Sequence, residues 1–248
     1  MEPIAEPTKP KLARILDALE AAYGAQKAAG PGNPYEMIVY LNCGYPATDA
    51  ACARGFEALQ RDVGLLPRQI LAVPQQKLAK LMRPSVMMPK ICAERLKEIA
   101  GKVKNEFGGN LMAALRGRMN DKDQPEEGVK ATKKILQEFP VIGEPSAEKI
   151  LLFSGLASVA AVPSAFVHVP IRLFAGEPGK NYAAEYRAAR QTLDSGLSKS
   201  FEARQRAYLL LKKHGQEICK RSKPKCEICP VTAECAYLQE KAGDSNAE

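Results

Sequence analysis

Apolar side chains recur at helical spacing along most of this chain. In the first such stretch, residues 11–27, the apolar positions are Leu12, Ile15, Leu16, Leu19 and Tyr23. These positions share one face of an α-helix, which predicts an amphipathic helix that ends near Gly24. The Gly-Pro-Gly-Asn-Pro segment that follows breaks the pattern.

The same spacing predicts a second helix from about Pro34 and a series of later ones. They cover residues 48–61, 67–72, 74–82, 89–107, 129–138, 145–153, 181–194 and 199–218. Strand-like alternation is absent from the sequence except in the short apolar piece 158–173. Residues 111–128 are polar in their second half and rich in turn formers, so we predict an irregular insertion there. The fold class that follows is all-α.

Composition and charge narrow the function. The chain has 248 residues, of which 46% are hydrophobic, so it can bury a substantial core. Its formal net charge is +8, and a basic balance favours a polyanionic partner, usually nucleic acid. The first residues are charged and proline-bearing, and no run of about 18 apolar residues occurs. We therefore expect a cytoplasmic, nucleoid-associated protein with no membrane association.

Four of the seven cysteines lie close together near the end of the sequence. Cys219, Cys226, Cys229 and Cys235 are separated by six, two and five residues, whereas the other three, at 43, 52 and 92, lie far apart. Four thiolates at this spacing suit a 4Fe–4S cluster or a structural zinc ion, and a disulfide framework fits poorly. Zinc sites usually pair two short Cys-x2-4-Cys loops. Only the middle gap is short here, which favours the iron–sulfur cluster.

Cations fill the first gap between these cysteines, at Lys220, Arg221, Lys223 and Lys225. A metal centre beside them would hold this loop in place. A rigid loop with four cations is typical of a surface that contacts the phosphates of double-stranded DNA, and we predict that these residues do so. A solvated basic loop is the alternative interpretation.

The cysteine spacing, which follows Lys213-His214-Gly215, resembles the iron–sulfur loop of endonuclease III and the adenine glycosylases. The resemblance covers most of the chain, from Asn33 onwards. Residues 33–36, Asn-Pro-Tyr-Glu, are similar to the Asn-Pro-Phe-Glu helix start of that family, and residues 46–49, Pro-Ala-Thr-Asp, to its Gln-Ala-Thr-Asp segment. Pro46 stands where the family carries a Gln that fills the gap left by an extruded base.

Residues 139–147, Phe-Pro-Val-Ile-Gly-Glu-Pro-Ser-Ala, resemble the helix-hairpin-helix turn of the family, Leu-Pro-Gly-Val-Gly-Arg-Lys-Thr-Ala. Backbone N–H groups at the helix N-terminus of such a turn bind phosphate, so the resemblance makes Val141 and Gly143 DNA-binding positions. Val141 replaces the first hairpin glycine. If that position needs a positive φ, valine is costly there and the hairpin geometry is altered. An ordinary helix–helix turn is the alternative.

The resemblance implies a helix-hairpin-helix DNA glycosylase fold with two domains. A six-helix barrel domain would cover residues 33–163 and contain the helix-hairpin-helix at 129–153. A cluster domain would combine residues 1–32 and 164–248 and contain the 4Fe–4S loop at 219–235. The implied partner is damaged, double-stranded DNA, bound by a monomer.

The two catalytic positions of the family are changed in this sequence. The family places a nucleophilic Lys two residues past the last hairpin glycine, where this chain has Pro145. It places an Asp in a segment that aligns with residues 162–165, and Pro163 stands at that position. The Lys forms a Schiff base in lyases, and the Asp stabilises positive charge on the sugar. The resemblance therefore implies no lyase activity and leaves the catalytic residues unknown.

Lys149, Glu144, Asp49 and His168 are the remaining candidates for a relocated catalytic group. Lys149 lies one helical turn past Pro145, but a solvated surface position is its more usual role. Glu144 and Asp49 fit helix-terminal or surface positions, and His168 in an apolar segment fits a buried core residue.

An apolar patch at Met82, Val86, Met87 and Met88 aligns roughly with the base pocket of the family. Core packing is the commoner role of methionine, and we expect it here.

Three functions fit these observations. The leading one is a monofunctional DNA glycosylase of base excision repair with a non-standard active site, which would release bases that leave easily, such as positively charged alkylated purines. The alternatives are a lesion-binding iron–sulfur protein without catalysis and an iron–sulfur protein unrelated to DNA. Salt-dependent duplex binding would exclude the third.

Overall fold

The structure is a computed structural model, and it describes residues 10–44, 48–119, 125–176, 178–179 and 181–244. All regular structure in these residues is helical, which confirms the all-α class. The α-helices are α1 (Lys11–Tyr23), α2 (Pro34–Asn42), α3 (Asp49–Asp62), α4 (Pro67–Ala72), α5 (Gln75–Met82), α6 (Pro89–Glu106), α7 (Leu111–Met119), α8 (Pro125–Gln137), α9 (Glu144–Phe153), α10 (His168–Phe174), α11 (Tyr182–Gly196), α12 (Phe201–Glu217) and α13 (Ala236–Asp244). Short 3₁₀ turns cover Ser164–Phe166, Cys226–Ile228 and Thr232–Glu234. None of the helices described is both long and apolar enough to cross a bilayer.

The chain divides into two compact units, residues 1–27 with 158–248 and residues 28–157. The first contains α1 and α10 to α13, and the second contains α2 to α9. The boundaries lie at 28 and 158, rather than at the 33 and 164 expected from the sequence. In its described residues the second unit has eight helices, two more than the six-helix domain that the resemblance implied.

In the first unit, α1 packs against α12 through the apolar face that its sequence predicts. Leu12, Ile15, Leu16 and Leu19 are each at most 5% exposed. Burial of one such side chain stabilises the fold by about 2 kcal/mol. Arg206 of α12 also pairs with Asp17 at 2.9 Å and Glu20 at 2.8 Å. Partly exposed ion pairs contribute little, so the apolar face dominates this contact.

In the second unit, residues 111–128 correct our prediction of an irregular insertion. Residues 111–119 form α7, which buries Leu111 and Leu115 one turn apart. Helix α8 begins at Pro125, and Pro suits the first turn of a helix because its missing N–H has no intrahelical partner there. Two glutamates follow in that turn, where the helix dipole favours acids. The polar residues are therefore the ends of two helices. Residues 120–124, and Pro46 discussed above, lie outside the described residues.

Candidate functional site

The helix-hairpin-helix turn connects α8 to α9 and is fixed by buried side chains. Phe139 and Ile142 are 2% and 4% exposed. The Ile142 N–H donates to the carbonyl of Phe139 at 3.2 Å, and the Asn42 side chain donates to the carbonyl of Pro140 at 3.1 Å. The turn is therefore anchored on both sides, with its tip at residue 141.

Val141 has φ of 59°, and no other non-glycine residue in the described part of the chain has a positive φ. This left-handed conformation costs an L-amino acid roughly 1–2 kcal/mol. Valine is therefore costly at this position, as the sequence analysis argued for a positive φ, and the backbone nevertheless adopts a conformation that suits glycine. The fold bears the strain, which is typical of a backbone geometry needed for function.

Helix α9 begins directly after this turn, with Gly143 as its N-cap and no side-chain cap. The first N–H groups of a helix have no intrahelical acceptor and can bind an anion. Pro145 lies in the first turn and has no N–H, which removes one of these donors. The hairpin therefore offers fewer donors to a phosphate than a turn without this proline.

An ion-pair network lies under the same turn. The Lys133 ammonium contacts Glu144 at 2.7 Å and Glu148 at 3.1 Å. The Glu148 side chain is 1% exposed. Burial alone lowers the pKa of Lys133, but the two carboxylates outweigh it and raise the pKa above the usual value. Glu144 therefore serves as an ion-pair partner at the helix start. Asp49 lies in the first turn of α3, where an acid complements the dipole.

Lys149 is 9% exposed and counts among the buried residues, which corrects our expectation of a solvated lysine. Its position on α9 turns it into the unit, and long side chains can bury their apolar stems in this way. It lies one helical turn after Pro145, which the resemblance aligns with the nucleophilic lysine of the family. The chain therefore has a buried lysine one turn away from that position.

The four cysteines of the second candidate site line one small cavity in the first unit. Cys219 and Cys235 are each 8% exposed, and Cys226 and Cys229 are half-buried. Two of the 3₁₀ turns, Cys226–Ile228 and Thr232–Glu234, fold the loop around the cavity. Across the residues described, no set of three or more His, Cys, Asp or Glu side chains is grouped for a single metal ion.

The donor set nevertheless suits a metal centre. Burial raises the pKa of Cys219 and Cys226, and raises that of Cys229 to about 11, with smaller contributions from the neighbouring thiols. Without a cationic centre these groups are therefore neutral thiols at pH 7. A metal centre that holds them as thiolates would add its binding free energy to folding. Four cysteines around one cavity are chemically suited to a 4Fe–4S cluster.

Arg172 of α10 fixes the basic loop to the rest of the unit. It is 7% exposed, and its guanidinium donates to the carbonyls of Lys220 and Arg221, both at 2.7 Å. It also lies 3.7 Å from the sulfur of Cys219. A planar guanidinium donates from two separate nitrogens in fixed directions, whereas a lysine donates from a single nitrogen. This role was not predicted from the sequence, although an arginine in the apolar segment 158–173 was a signal for it.

Two buried histidines complete the surroundings of the cysteines. His168 is 1% exposed, as predicted for a core residue, and its Nε2 donates to the carbonyl of Cys219 at 2.8 Å. His214 contacts the Tyr23 hydroxyl through Nδ1 at 2.8 Å and the Cys229 sulfur through Nε2 at 3.8 Å. Burial lowers the pKa of His214 to about 4, so the ring is neutral at pH 7. A neutral ring accepts from Tyr23 and presents Nε2–H to the sulfur.

The four cations of the first gap, Lys220, Arg221, Lys223 and Lys225, are all exposed. No acid in the described residues forms an ion pair with them, and the Lys220 ammonium donates to the carbonyl of Gln216. The backbone of their loop is fixed by Arg172, whereas their charges face solvent. This arrangement fits phosphate contacts.

The methionine patch differs from our expectation of core packing. Met82 and Val86 are buried, but Met87 and Met88 are 83% and 50% exposed. The turn that carries them is fixed, because Val86 N–H donates to Met82 at 3.2 Å and Ser85 is 6% exposed. The two exposed methionines are therefore presented to solvent on a defined turn.

Comparisons with known proteins place this architecture. No protein-family model matches the sequence. Thymine/uracil-DNA glycosylase of Methanothermobacter thermautotrophicus is 25% identical over 173 residues, covering 68% of this chain and 67% of that protein. A trapped covalent intermediate of endonuclease III with DNA superimposes with a TM-score of 0.71 at 18% identity, covering 95% of this chain and 99% of that one. A thermostable thymine-DNA glycosylase gives 0.68 at 19% identity, covering 93% and 97%.

The chain has the fold of endonuclease III. This fold is present although the chain has prolines, Pro145 and Pro163, at the two positions that the resemblance aligns with catalytic residues. Pro163 is buried and precedes the turn Ser164–Phe166. Exposed Ser164 accepts a hydrogen bond from the Tyr182 hydroxyl through its carbonyl at 3.4 Å.

One buried carboxylate on α11 was not predicted from the sequence. Glu185 lies three residues after Tyr182 on α11 and is 8% exposed. Its Oε1 has no hydrogen-bond partner among the described residues. A single glutamate in an amphipathic helix usually lies at the surface, so the sequence carried no signal for its burial. Glu185 is therefore a third candidate, with Glu144 and Asp49, for a catalytic acid at a new position.

Proposed function

We propose that the protein is a DNA glycosylase of base excision repair that cleaves the bond between a damaged base and its sugar, acts as a monomer and has no lyase activity. The observation that carries this proposal is the strained Val141. A left-handed valine at the hairpin tip destabilises the fold, so its retention supports a hairpin that still binds DNA. The relative named a thymine/uracil-DNA glycosylase supports the same reaction class.

Absence of lyase activity rests on Pro145. A Schiff base needs a primary amine, which proline lacks. Base release by water needs no such amine. A leaving base that already carries positive charge needs less help from the enzyme, so alkylated purines are the substrates we expect first. Uracil and mismatched thymine are the second class of substrate that we expect, because the similar protein of Methanothermobacter thermautotrophicus is named a thymine/uracil-DNA glycosylase.

The cysteines would bind a 4Fe–4S cluster through Cys219, Cys226, Cys229 and Cys235. The bound cluster would supply a rigid four-point attachment for the loop. Arg172 and His168 then fix the backbone at residues 219–221, and the loop cations contact DNA phosphates. Extrusion of a base from the duplex also requires that its neighbours be unstacked. Apolar side chains inserted between base pairs can do this, and the exposed Met87 fits that role.

A lesion-binding protein without catalysis is the second candidate. It is favoured by one observation, the proline at the position where the superfamily carries its catalytic Asp. A variant of Glu185 tests between the two candidates, since loss of this carboxylate would slow base release by an enzyme that uses it and would change nothing in a protein without catalysis.

Single-turnover incubation with duplexes that carry 3-methyladenine, ethenoadenine, uracil or thymine mismatches tests the proposal. We expect release of free base with intact abasic strands, and no covalent adduct after borohydride reduction, which traps Schiff bases. Glu185→Gln should slow release, and Glu202→Gln, at an exposed position on α12, should leave it unchanged. Lesion-dependent binding without any released base would instead identify the non-catalytic protein, and a borohydride adduct would contradict the lack of lyase activity.

A further inference from the structure

A long segment of the second unit contains cations and no acids. From Val63 to Ala93 the sequence has no Asp or Glu, and its basic residues are Arg68, Lys77, Lys80, Arg83 and Lys90. These residues span α4, α5 and the start of α6. Such an imbalance creates a positive potential that attracts polyanions.

Three of these cations line one open cleft of about 880 Å³ between α5 and the start of α6. The cleft is lined by Pro74, Gln75, Gln76, Ala79, Lys80, Arg83, Pro89 and Lys90. Lys80, Arg83 and Lys90 are exposed, and no described acid forms an ion pair with any of them. The cleft therefore has positive charge that the described protein does not neutralise.

The lining has the donors that a sugar–phosphate backbone needs. Ammonium and guanidinium groups bind phosphate oxygens, and the amides of Gln75 and Gln76 can donate to phosphate or sugar oxygens. Pro74 and Pro89 border the cleft at the starts of α5 and α6 and limit backbone motion there. The volume falls within the range of specific ligand pockets, so several groups of a strand fit at once.

The helix-hairpin-helix turn has few groups that could bind a DNA phosphate, so a second phosphate contact elsewhere would add to its affinity. Pro145 removes one N–H donor from the α9 N-terminus, and Glu144 places a carboxylate in the same first turn. Lys133 is engaged by that carboxylate and is therefore not available to a phosphate. The hairpin alone would bind a phosphate weakly.

We infer that the cleft between α5 and α6 binds the backbone phosphates of one DNA strand and supplies a large share of the electrostatic affinity. This inference rests on the proposed function for the identity of the polyanion. Met87 and Met88 lie on the turn between the same two helices, so strand binding in the cleft would bring this turn to the DNA.

The test is the salt dependence of binding to an undamaged, fluorescent 20-base-pair duplex. The cleft variant carries Lys80→Gln, Arg83→Gln and Lys90→Gln. The matched control carries Arg54→Gln, Lys104→Gln and Arg116→Gln, which removes three exposed charges that do not line the cleft. Lys104 lies on α6 about 21 Å from Lys90 along the helix axis. Both variants should melt like the wild-type protein.

In the cleft variant we expect the slope of log K against log salt to fall by about 2 to 3, since each lost phosphate contact contributes about 0.9. The control slope should change by less than about 1. A cleft variant that keeps the wild-type slope, or a control that loses as much, would overturn the inference and leave the cleft to an acidic protein segment. A wild-type protein without salt-dependent binding would defeat the proposed function itself, which base release tests independently.

Discussion

At the scale of single residues, the hairpin depends on a side chain that its backbone conformation disfavours. Val141 adopts a φ of 59°, and the buried neighbours Phe139 and Ile142 hold the turn in place. The energy for the strained residue therefore comes from packing around it. A glycine at this position would adopt the same conformation without steric cost.

Val141→Gly should increase the free energy of unfolding by about 1 kcal/mol, because the relieved strain exceeds the entropy that glycine adds to the unfolded chain. Denaturant unfolding measures this change. Val73→Gly is the matched control, since Val73 is also partly exposed and follows a helix, but has φ of −79°. It should destabilise the protein. Destabilisation by Val141→Gly as well would show that the tip bears no strain.

Arg172 is the residue on which the position of the basic loop depends. Its two bonds to the carbonyls of Lys220 and Arg221 are both 2.7 Å long, and the residue is buried. Lysine at this position would keep the charge but would have one nitrogen in place of the two that reach the separate carbonyls.

Arg172→Lys should destabilise the first unit by about 2 kcal/mol, through the loss of hydrogen bonds from a buried charged group. It should also reduce the salt slope of DNA binding, because the four loop cations would no longer be held together. Arg187→Lys, at an exposed position on α11, should change neither quantity. An unchanged salt slope in Arg172→Lys would limit the residue to a structural role.

The sequence predicted some of these residues and missed others for a physical reason. Val141 was identifiable because the hairpin motif calls for glycine at that position. Arg172 had a signal, its place in an apolar segment, but Glu185 and Lys149 had none, because their burial depends on neighbours far away in the chain. Met87 was misassigned for the same reason, since an apolar run does not reveal which of its members face solvent.

At the scale of elements, the helices were largely predictable because caps and apolar spacing act locally. Helix α4 has the predicted bounds, and α2 begins at the Pro that follows its Asn33 cap. The prediction of an irregular insertion at 111–128 was wrong because it relied on the polar composition of that stretch. Two weaker signals for helix were present, the spacing of Leu111 and Leu115 and the Pro-Glu-Glu start of α8.

Two helical glycines give opposite predictions for substitution by alanine. A methyl group on Gly101 of α6 would meet nothing within 4 Å, whereas one on Gly128 of α8 would lie 2.9 Å from the carbonyl of Arg118 in α7. Gly101→Ala should therefore stabilise the protein by about 0.5–1 kcal/mol through helix propensity. Gly128→Ala should destabilise it by about 1–2 kcal/mol, because α7 and α8 must move apart.

Thermal melting of the two variants checks both signs. Stabilisation by Gly128→Ala would contradict the close contact between α7 and α8, because it would mean that the two helices separate without cost.

At the scale of the whole molecule, the cysteine loop and α1 pack into the same apolar core of the first unit, although they lie near opposite ends of the sequence. Cys219, Val231 and Cys235 belong to the same apolar core as Leu12 and Leu16 of α1. A metal centre in the loop would therefore stabilise this entire core as well as the loop itself.

Cys226→Ser should lose the cluster and lower the melting temperature of the first unit. Iron, sulfide and zinc analysis of the purified protein measures the first effect and also separates iron–sulfur from zinc. Cys92→Ser is the control, since Cys92 is buried in the other unit and contacts the carbonyl of Asn42. It should keep full metal content. Full iron content in Cys226→Ser would contradict the assignment of the four ligands.

The contact between α1 and α12 also sets an order of events during synthesis. About 180 residues separate the two helices, and ribosomes add roughly 5–20 residues per second. Helix α1 thus emerges roughly 10 to 40 s before the partner that covers its apolar face. The unit built from α2 to α9 has all its residues in that interval and can fold first. The nascent chain is therefore expected to expose an uncovered leucine-rich helix while the second unit is already folded, and an exposed apolar helix of this kind is a surface that chaperones bind.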